Sequence, residues 1–119
     1  MPLTRLRSGG VDYEASTFVD TTNSGSVTLN FVNNNNFILT FTGDVTLANP
    51  TTEKIGQTGV IVCIQDGTGN RSLTLGSQYK TAGGVGINLS TAADAVDVIP
   101  YIVQAVDSIL LGKVQKAFS

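Results

Sequence analysis

Apolar and polar residues alternate along much of the chain, and the first clear examples are the runs 26–31 and 37–42. A period of two residues places successive side chains on opposite faces of an extended backbone, so both runs predict half-buried β-strands. The four asparagines at 33–36 separate the two runs. Asparagine favours turns because it tolerates positive φ and bonds to its own backbone. The two strands are therefore predicted to form a β-hairpin.

Further strands and turns follow toward the C-terminus. The unbroken apolar run 59–64 is typical of a central strand covered on both faces. Residues 66–70 predict a tight turn of the hairpin type, and the glycine-rich stretch 76–88 predicts a long exposed loop. Residues 96–106 form another predicted strand. Pro100 within it favours an edge position or a bulge, because proline has no N–H to donate.

Together these elements predict an all-β fold. About six or seven strands with turn signals roughly every 8–12 residues are typical of a single antiparallel β-sandwich or a small barrel, jelly-roll-like in type. The composition changes near residue 25, before which turn and loop residues dominate. The predicted organisation is an extended N-terminal arm over residues 1–25 and a β-sandwich domain over residues 26–119.

The predicted arm carries isolated apolar side chains among polar ones, more than a solvated tail requires. It also holds two of the three arginines of the chain. Arginine suits bidentate contact with carboxylates across an interface. We therefore expect the arm to contact either its own domain or a neighbouring subunit. The candidate interface residues are Leu3, Arg5, Leu6, Arg7, Tyr13 and Phe18.

Composition excludes several classes of function. Charged residues make up only 13% of the chain and the formal net charge is −2, which argues against a dedicated nucleic-acid binder. No apolar stretch reaches the roughly 18 residues of a membrane-spanning helix, so no membrane partner is expected. The chain has no histidine, which excludes Ser-His-Asp and Cys-His catalysis and histidine-containing zinc sites.

No group of residues predicts catalysis, a cofactor or a metal site. Asp94 and Asp97 are close in sequence, but no further oxygen ligands accompany them. Cys63 lies in the most apolar run, where thiols pack as small hydrophobic groups. We therefore expect a protein that is not an enzyme and needs no cofactor. The exposed loops remain as contact sites, with the candidates Asn34, Asn35, Tyr79 and Lys80.

Two stretches resemble bacteriophage virion proteins. PLTRLRSGGVD (residues 2–12) is similar to the opening of many phage virion proteins, often fibre-like ones. The second stretch extends over about residues 36–119. It resembles a small β-domain that recurs in structural proteins of tailed phages, notably at the ends of fibres. The motifs that carry this resemblance are LTFTGDVTLANP (39–50), GQTG (56–59), IQDGTGNR (64–71) and TAADAVD (91–97).

The resemblance implies a virion structural protein without catalytic residues, assembled in the host cytoplasm as a homo-oligomer, often a homotrimer. A short arm and one β-domain suit a capsid decoration (cement) protein better than a complete fibre. The first hypothesis is therefore a protein on the capsid exterior whose partners are the major capsid protein and copies of itself. The alternative is a tail-fibre or head-fibre tip protein whose loops bind a host surface receptor.

Overall fold

The computed structural model describes residues 16–119, and 52% of these residues lie in β-strands. One short 3-10 turn at Ala82–Gly84 accompanies the strands. The all-β fold class predicted from the sequence is confirmed. The strands are β1 (Thr17–Val27), β2 (Asn36–Leu47), β3 (Thr58–Gln65), β4 (Leu73–Leu75), β5 (Tyr79–Lys80), β6 (Val96–Ala105), β7 (Ser108–Leu111) and β8 (Gln115–Phe118).

The strands form one mixed sheet that curls into half a barrel. Their order is β1-β2-β3-β6-β7-β5, with β4 beside β2 and β8 beside β6. β2 pairs in parallel with β1, β3 and β4, whereas β6 pairs antiparallel with β3, β7 and β8. The prediction of a purely antiparallel sheet is therefore wrong. Alternation of apolar and polar residues shows which face of a strand is buried. Its period of two is the same in parallel and antiparallel sheets, so it does not predict strand direction.

The predicted hairpin around residues 33–36 is also wrong. β1 pairs with β2 in parallel, with Thr17 opposite Asn36 and Val27 opposite Leu47. Residues 28–35 must therefore travel back along the length of β1, roughly 30 Å at the rise of an extended strand. Leu29 and Phe31 alternate with polar residues in this return segment because they point into the core, although they belong to no strand.

The predicted hairpin turn at 66–70 connects strands that do not pair with each other. β3 and β4 lie one after the other on the edge of β2 that faces away from β1. The Asp66 carboxylate accepts hydrogen bonds from the backbone N–H groups of Thr68 and Gly69. The Arg71 guanidinium pairs with Asp66 at 2.9 Å, and this bond lowers the pKa of Asp66 to about 2.

Pro100 lies in an inner strand rather than at an edge of the sheet. β6 has β3 on one side, while β8 and β7 share its other side. Pro100 falls between the part of β6 that pairs with β8 and the part that pairs with β7. Its carbonyl accepts a hydrogen bond from Gly112 N at 2.8 Å. The missing N–H therefore falls at a junction between two partner strands, where no ladder bond is lost.

The predicted arm falls mainly outside the described residues. Leu3, Arg5, Leu6, Arg7 and Tyr13 all precede residue 16, so their predicted contacts stay predictions. Residues 17–25 belong to β1 and pair with β2. The boundary between arm and domain after residue 25 likewise stays a prediction. Within the described residues, no helix has the length and apolar character needed to cross a membrane.

The core lies between the concave face of the sheet and the return segment. Alternate residues of β2, β3 and β6 point inward and are almost completely buried, among them Phe37, Leu39, Phe41, Ile61, Cys63, Ile99 and Tyr101. Phe31 covers them from the return segment. Its ring lies edge-on to Phe37 at 5.0 Å and to Tyr101 at 5.6 Å between centroids. This aromatic cluster joins the return segment to the sheet.

Two hydrogen-bonding side chains hold the return segment and residues 48–57 together. Phe31 N donates to Thr52 Oγ1 at 2.8 Å. The Gln57 amide donates to the carbonyls of Phe31 and Asn34 and to the side-chain oxygen of Asn35. Residues 48–57 connect β2 to β3 and bond to β6 through Val103. Both connections between parallel strands are thus fastened to each other and to the sheet.

We expect Phe31→Ala to lower the free energy of unfolding by about 3–5 kcal/mol, the usual cost of removing a buried aromatic ring. Val32 is 55% exposed, and Val32→Ala, the neighbouring control, should change stability by less than about 0.5 kcal/mol. Urea unfolding of the full chain followed by circular dichroism measures both. Equal midpoints for the two variants would show that residues 28–35 do not close the core.

Candidate interaction surfaces

The convex face of the sheet is apolar across four strands. Val19, Ile38, Val62 and Val98 lie side by side in register on β1, β2, β3 and β6. Their side chains point away from the core and are half-buried or exposed. We call the apolar residues of this side the outer face; they are Val19, Ile38, Val60, Val62, Ile64, Val96, Val98, Pro100, Ile102, Leu110 and Phe118.

The structure revises the prediction that the run 59–64 is covered on both faces. Ile61 and Cys63 are buried on the inner side, but Val60, Val62 and Ile64 are only half-buried. No outward position of β3 or β6 carries a charged residue. A contiguous, partly exposed apolar surface of this kind is uncommon on proteins that act alone, and it marks interaction sites.

A shallow depression lies at one end of the outer face. It has a volume of about 320 Å³ and is lined by Pro100, Tyr101, Ile102, Leu110, Leu111 and Gly112. A Cβ atom at position 112 would lie 2.8 Å from Cγ of Pro100. Glycine is therefore the residue that lets the chain after β7 pass close to Pro100. Ile102 and Leu110 pair across β6 and β7 and are 44% and 39% exposed.

A second surface surrounds the glycine-rich loop. One cavity of about 590 Å³ lies between this loop and β4–β5, and another of about 360 Å³ lies between the loop and the β7–β8 connection. They share the wall residues Thr81, Val85, Gly86 and Ile87, so they adjoin. None of the outer-face residues lines either cavity. We call these two cavities together the loop groove.

Threonine 81 organises the loop between the two cavities. Its carbonyl accepts a hydrogen bond from Gly84 N at 2.9 Å, and its hydroxyl accepts one from Gly86 N at 2.8 Å. Gly84 and Gly86 have φ values of 68° and 78°, in the left-handed region that glycine adopts without strain. Val85 between them is 79% exposed. The loop therefore has a defined shape and presents its middle residue to solvent.

The loop residues proposed from the sequence lie in different environments in the structure. Lys80 is exposed on β5 and lines the loop groove. Tyr79, expected to be exposed, is only 4% exposed, because inward alternation on β5 directs it to the core. Burial raises the pKa of its hydroxyl, and the Glu53 carboxylate raises it further. Tyr79 contributes its buried ring to the groove wall rather than an exposed stacking surface.

Asn34 and Asn35 lie elsewhere and support the fold. The Asn35 carbonyl accepts a hydrogen bond from the Tyr101 hydroxyl at 2.6 Å. Asn34 is half-buried and lines a cavity of about 330 Å³ together with Phe18 and Leu29. Phe18, proposed as an interface residue, is 42% exposed on β1. Its role in an interface stays a prediction.

Two groove residues were not among the sequence candidates. Lys113 and Lys116 line the cavity beside the glycine-rich loop. They are more than 30 positions beyond Lys80 in the sequence, and no motif connects them to the loop. Only the pairing of β5 with β7, followed by the short connection to β8, brings these lysines to one surface.

The described residues offer little that resembles catalytic chemistry. Among residues 16–119, no group of three or more metal-ligating side chains could hold an ion. Cys63 is buried, and desolvation followed by the nearby Asp97 carboxylate raises its pKa to about 12. The Asp97 carboxylate accepts hydrogen bonds from the backbone N–H groups of Ser90 and Ala117. Asp97 therefore ties the loop before β6 to β8.

Comparison with known proteins gives one family. Residues 19–107 match the family described as "Putative phage tail fibre C-terminal domain". No curated protein sequence matches the chain. No solved structure matches it either. The matched segment contains β1 from its third residue, all of β2 to β6 and the glycine-rich loop, and so covers most of the described sheet.

We expect Thr81→Val to loosen the glycine-rich loop, because valine keeps the shape of threonine but removes the acceptor for Gly86 N. Amide hydrogen exchange at Gly86 should become about fivefold faster, the effect of losing one hydrogen bond. Thr74→Val is the control, since Thr74 is exposed on β4 and also lines the groove. Unchanged exchange at Gly86 in Thr81→Val would show that this bond does not hold the loop.

Proposed function

The chain belongs to the phage tail fibre C-terminal domain family, and on this premise we propose that it forms part of a tail fibre that contacts the host cell. It is a bacteriophage virion structural protein. In the proposal, copies of the chain associate through the outer face, and the loop groove remains free to bind a receptor. The match supports this tail-fibre alternative better than the capsid-decoration hypothesis with its major capsid protein partner.

The outer face is the observation that carries the proposal. Its central strands present valine and isoleucine outward with no charged residue among them. An uncharged apolar surface gains most by contact with another apolar surface, because both then leave water. A further copy of this chain carries the same apolar face and so supplies such a surface. The homotrimer implied by the resemblance is one closed arrangement that would bury it.

The two surfaces adjoin but consist of different residues, so the two proposed roles are compatible. The loop groove lies beside β4, β5 and the β7–β8 connection, and none of the outer-face residues lines it. Leu111 and Gly112 line both the groove and the depression at the end of the outer face. In the proposal, association through the outer face leaves the groove accessible, with Lys80 beside Leu110 at the boundary of the interface. Each added copy would bring one more groove, and several weak contacts with a host surface would then act together.

We expect the full chain to sediment as an oligomer and Ile102→Lys to sediment as a monomer, because a lysine ammonium in the interface would have to leave water without a partner. Ile55→Lys is the matched control, since Ile55 is 68% exposed in the connection before β3 and lies off the outer face. That variant should stay oligomeric. Circular dichroism melts establish that both variants fold.

Two outcomes would contradict the assembly. A monomeric wild-type chain at concentrations of about 100 µM, well above the dissociation constants of stable interfaces, would remove the proposed role of the outer face. An Ile102→Lys variant that remains oligomeric would place the interface elsewhere on the molecule.

A further inference from the structure

We propose that the loop groove binds an anionic glycan of the host surface, with Lys80, Lys113 and Lys116 contacting its negative groups. The glycan is the receptor of the tail-fibre function, so this inference rests on the proposed function. The shared chemistry is a sugar polymer bearing carboxylate or phosphate groups. Both groups accept charge-assisted hydrogen bonds from lysine ammonium groups.

The distribution of charge favours an anionic ligand. The chain as a whole has a formal net charge of −2, yet no acidic residue lines the loop groove. Three lysines line it, and none of them makes an ion pair with a described residue. The other described cations are Lys54, which lines neither cavity, and Arg71, which Asp66 neutralises. Uncompensated positive charge is thus concentrated at the groove.

The three lysines come from separate elements that the fold brings together. Lys80 pairs with Leu110 on β7, Lys113 follows the end of β7, and Lys116 lies on β8. All three side chains are exposed. They border a preformed concavity rather than a flat or convex surface. A concave surface lets several of them contact one ligand at the same time.

The remaining lining of the groove suits a sugar chain. The two cavities, about 590 and 360 Å³, are within the size range of small-ligand sites, roughly 300–1,000 Å³. Ser77 and Asn88 offer a hydroxyl and an amide to sugar hydroxyl groups. Val85 and Ile87 supply apolar surface for the C–H faces of the rings. The groove therefore combines charge, polar groups and apolar walls.

The test measures binding of the full chain by biolayer interferometry to three immobilised polymers and to duplex DNA, which is the control for non-specific binding of polyanions. Polygalacturonate carries carboxylates, glycerol-phosphate teichoic acid carries phosphates, and dextran is neutral. We expect binding to at least one of the two anionic polymers and none to dextran. The polymer that binds more tightly identifies the carboxylate or phosphate source. Affinity should decrease as salt rises, because exposed charges are screened.

Lysine variants test whether the groove is responsible. The triple variant Lys80→Gln, Lys113→Gln, Lys116→Gln should bind the preferred polymer about tenfold more weakly, the combined effect of a few exposed charge pairs. Lys54→Gln is the matched control and should bind like the wild type. Equal binding by the triple variant, equal binding to dextran, or equally tight binding to duplex DNA would each overturn the proposal.

This experiment is separate from the test of assembly. A chain that sediments as an oligomer but binds neither anionic polymer overturns the glycan inference and leaves the fibre proposal standing. A monomeric chain whose binding requires the groove lysines overturns the assembly and supports the inference. The two failures are therefore distinguishable.

Discussion

Parallel pairing of β2 with strands on both of its edges is the constraint on which the rest of the structure depends. Parallel neighbours cannot be joined by tight turns, so the chain must return across the sheet after β1 and again after β2. These returns provide the layer that closes the core, with Phe31 packed on the inward aromatic rings. Thr52 and Gln57 fasten the two returns together.

The same arrangement leaves the other side of the sheet without a layer contributed by residues 16–119. The returns lie on the concave side, and no described segment packs over the valine and isoleucine side chains of β3 and β6 on the convex side. An uncovered apolar sheet is costly in water, and association with further copies would relieve that cost. Fold and proposed assembly are thus consequences of one asymmetry between the faces of the sheet.

Alternation in the sequence predicts burial well and strand direction poorly. Alternation locates the strand at residues 37–42, and apolar runs locate those at 59–64 and 96–106. The first two lie within β2 and β3, and the third extends one residue beyond the end of β6. Alternation fails at residues 28–31, because Leu29 and Phe31 alternate in a segment that packs on the sheet without joining it. β1 is not predicted from the sequence, because it is an edge strand of mostly exposed threonine, asparagine and serine in which apolar residues do not alternate with polar ones.

The candidate sites show the same limit. The glycine-rich loop and Lys80 could be found from the sequence, since glycine and polar residues mark an exposed loop. Lys113 and Lys116 could not, because their proximity to that loop arises from the β5–β7 pairing between distant segments. The burial of Tyr79 also could not be predicted, because it depends on which side of the two-residue strand β5 faces the core.

The most direct test of the account is hydroxyl-radical footprinting of the full chain in solution, which reports the solvent accessibility of individual side chains. In a single chain Ile102 and Leu110 are 44% and 39% exposed, while Ile55 and Val85 are 68% and 79% exposed. The account predicts that Ile102 and Leu110 are labelled far less than their exposure in a single chain would allow. Ile55 and Val85 should be labelled strongly. Labelling of all four in proportion to their exposure in the single chain would contradict it.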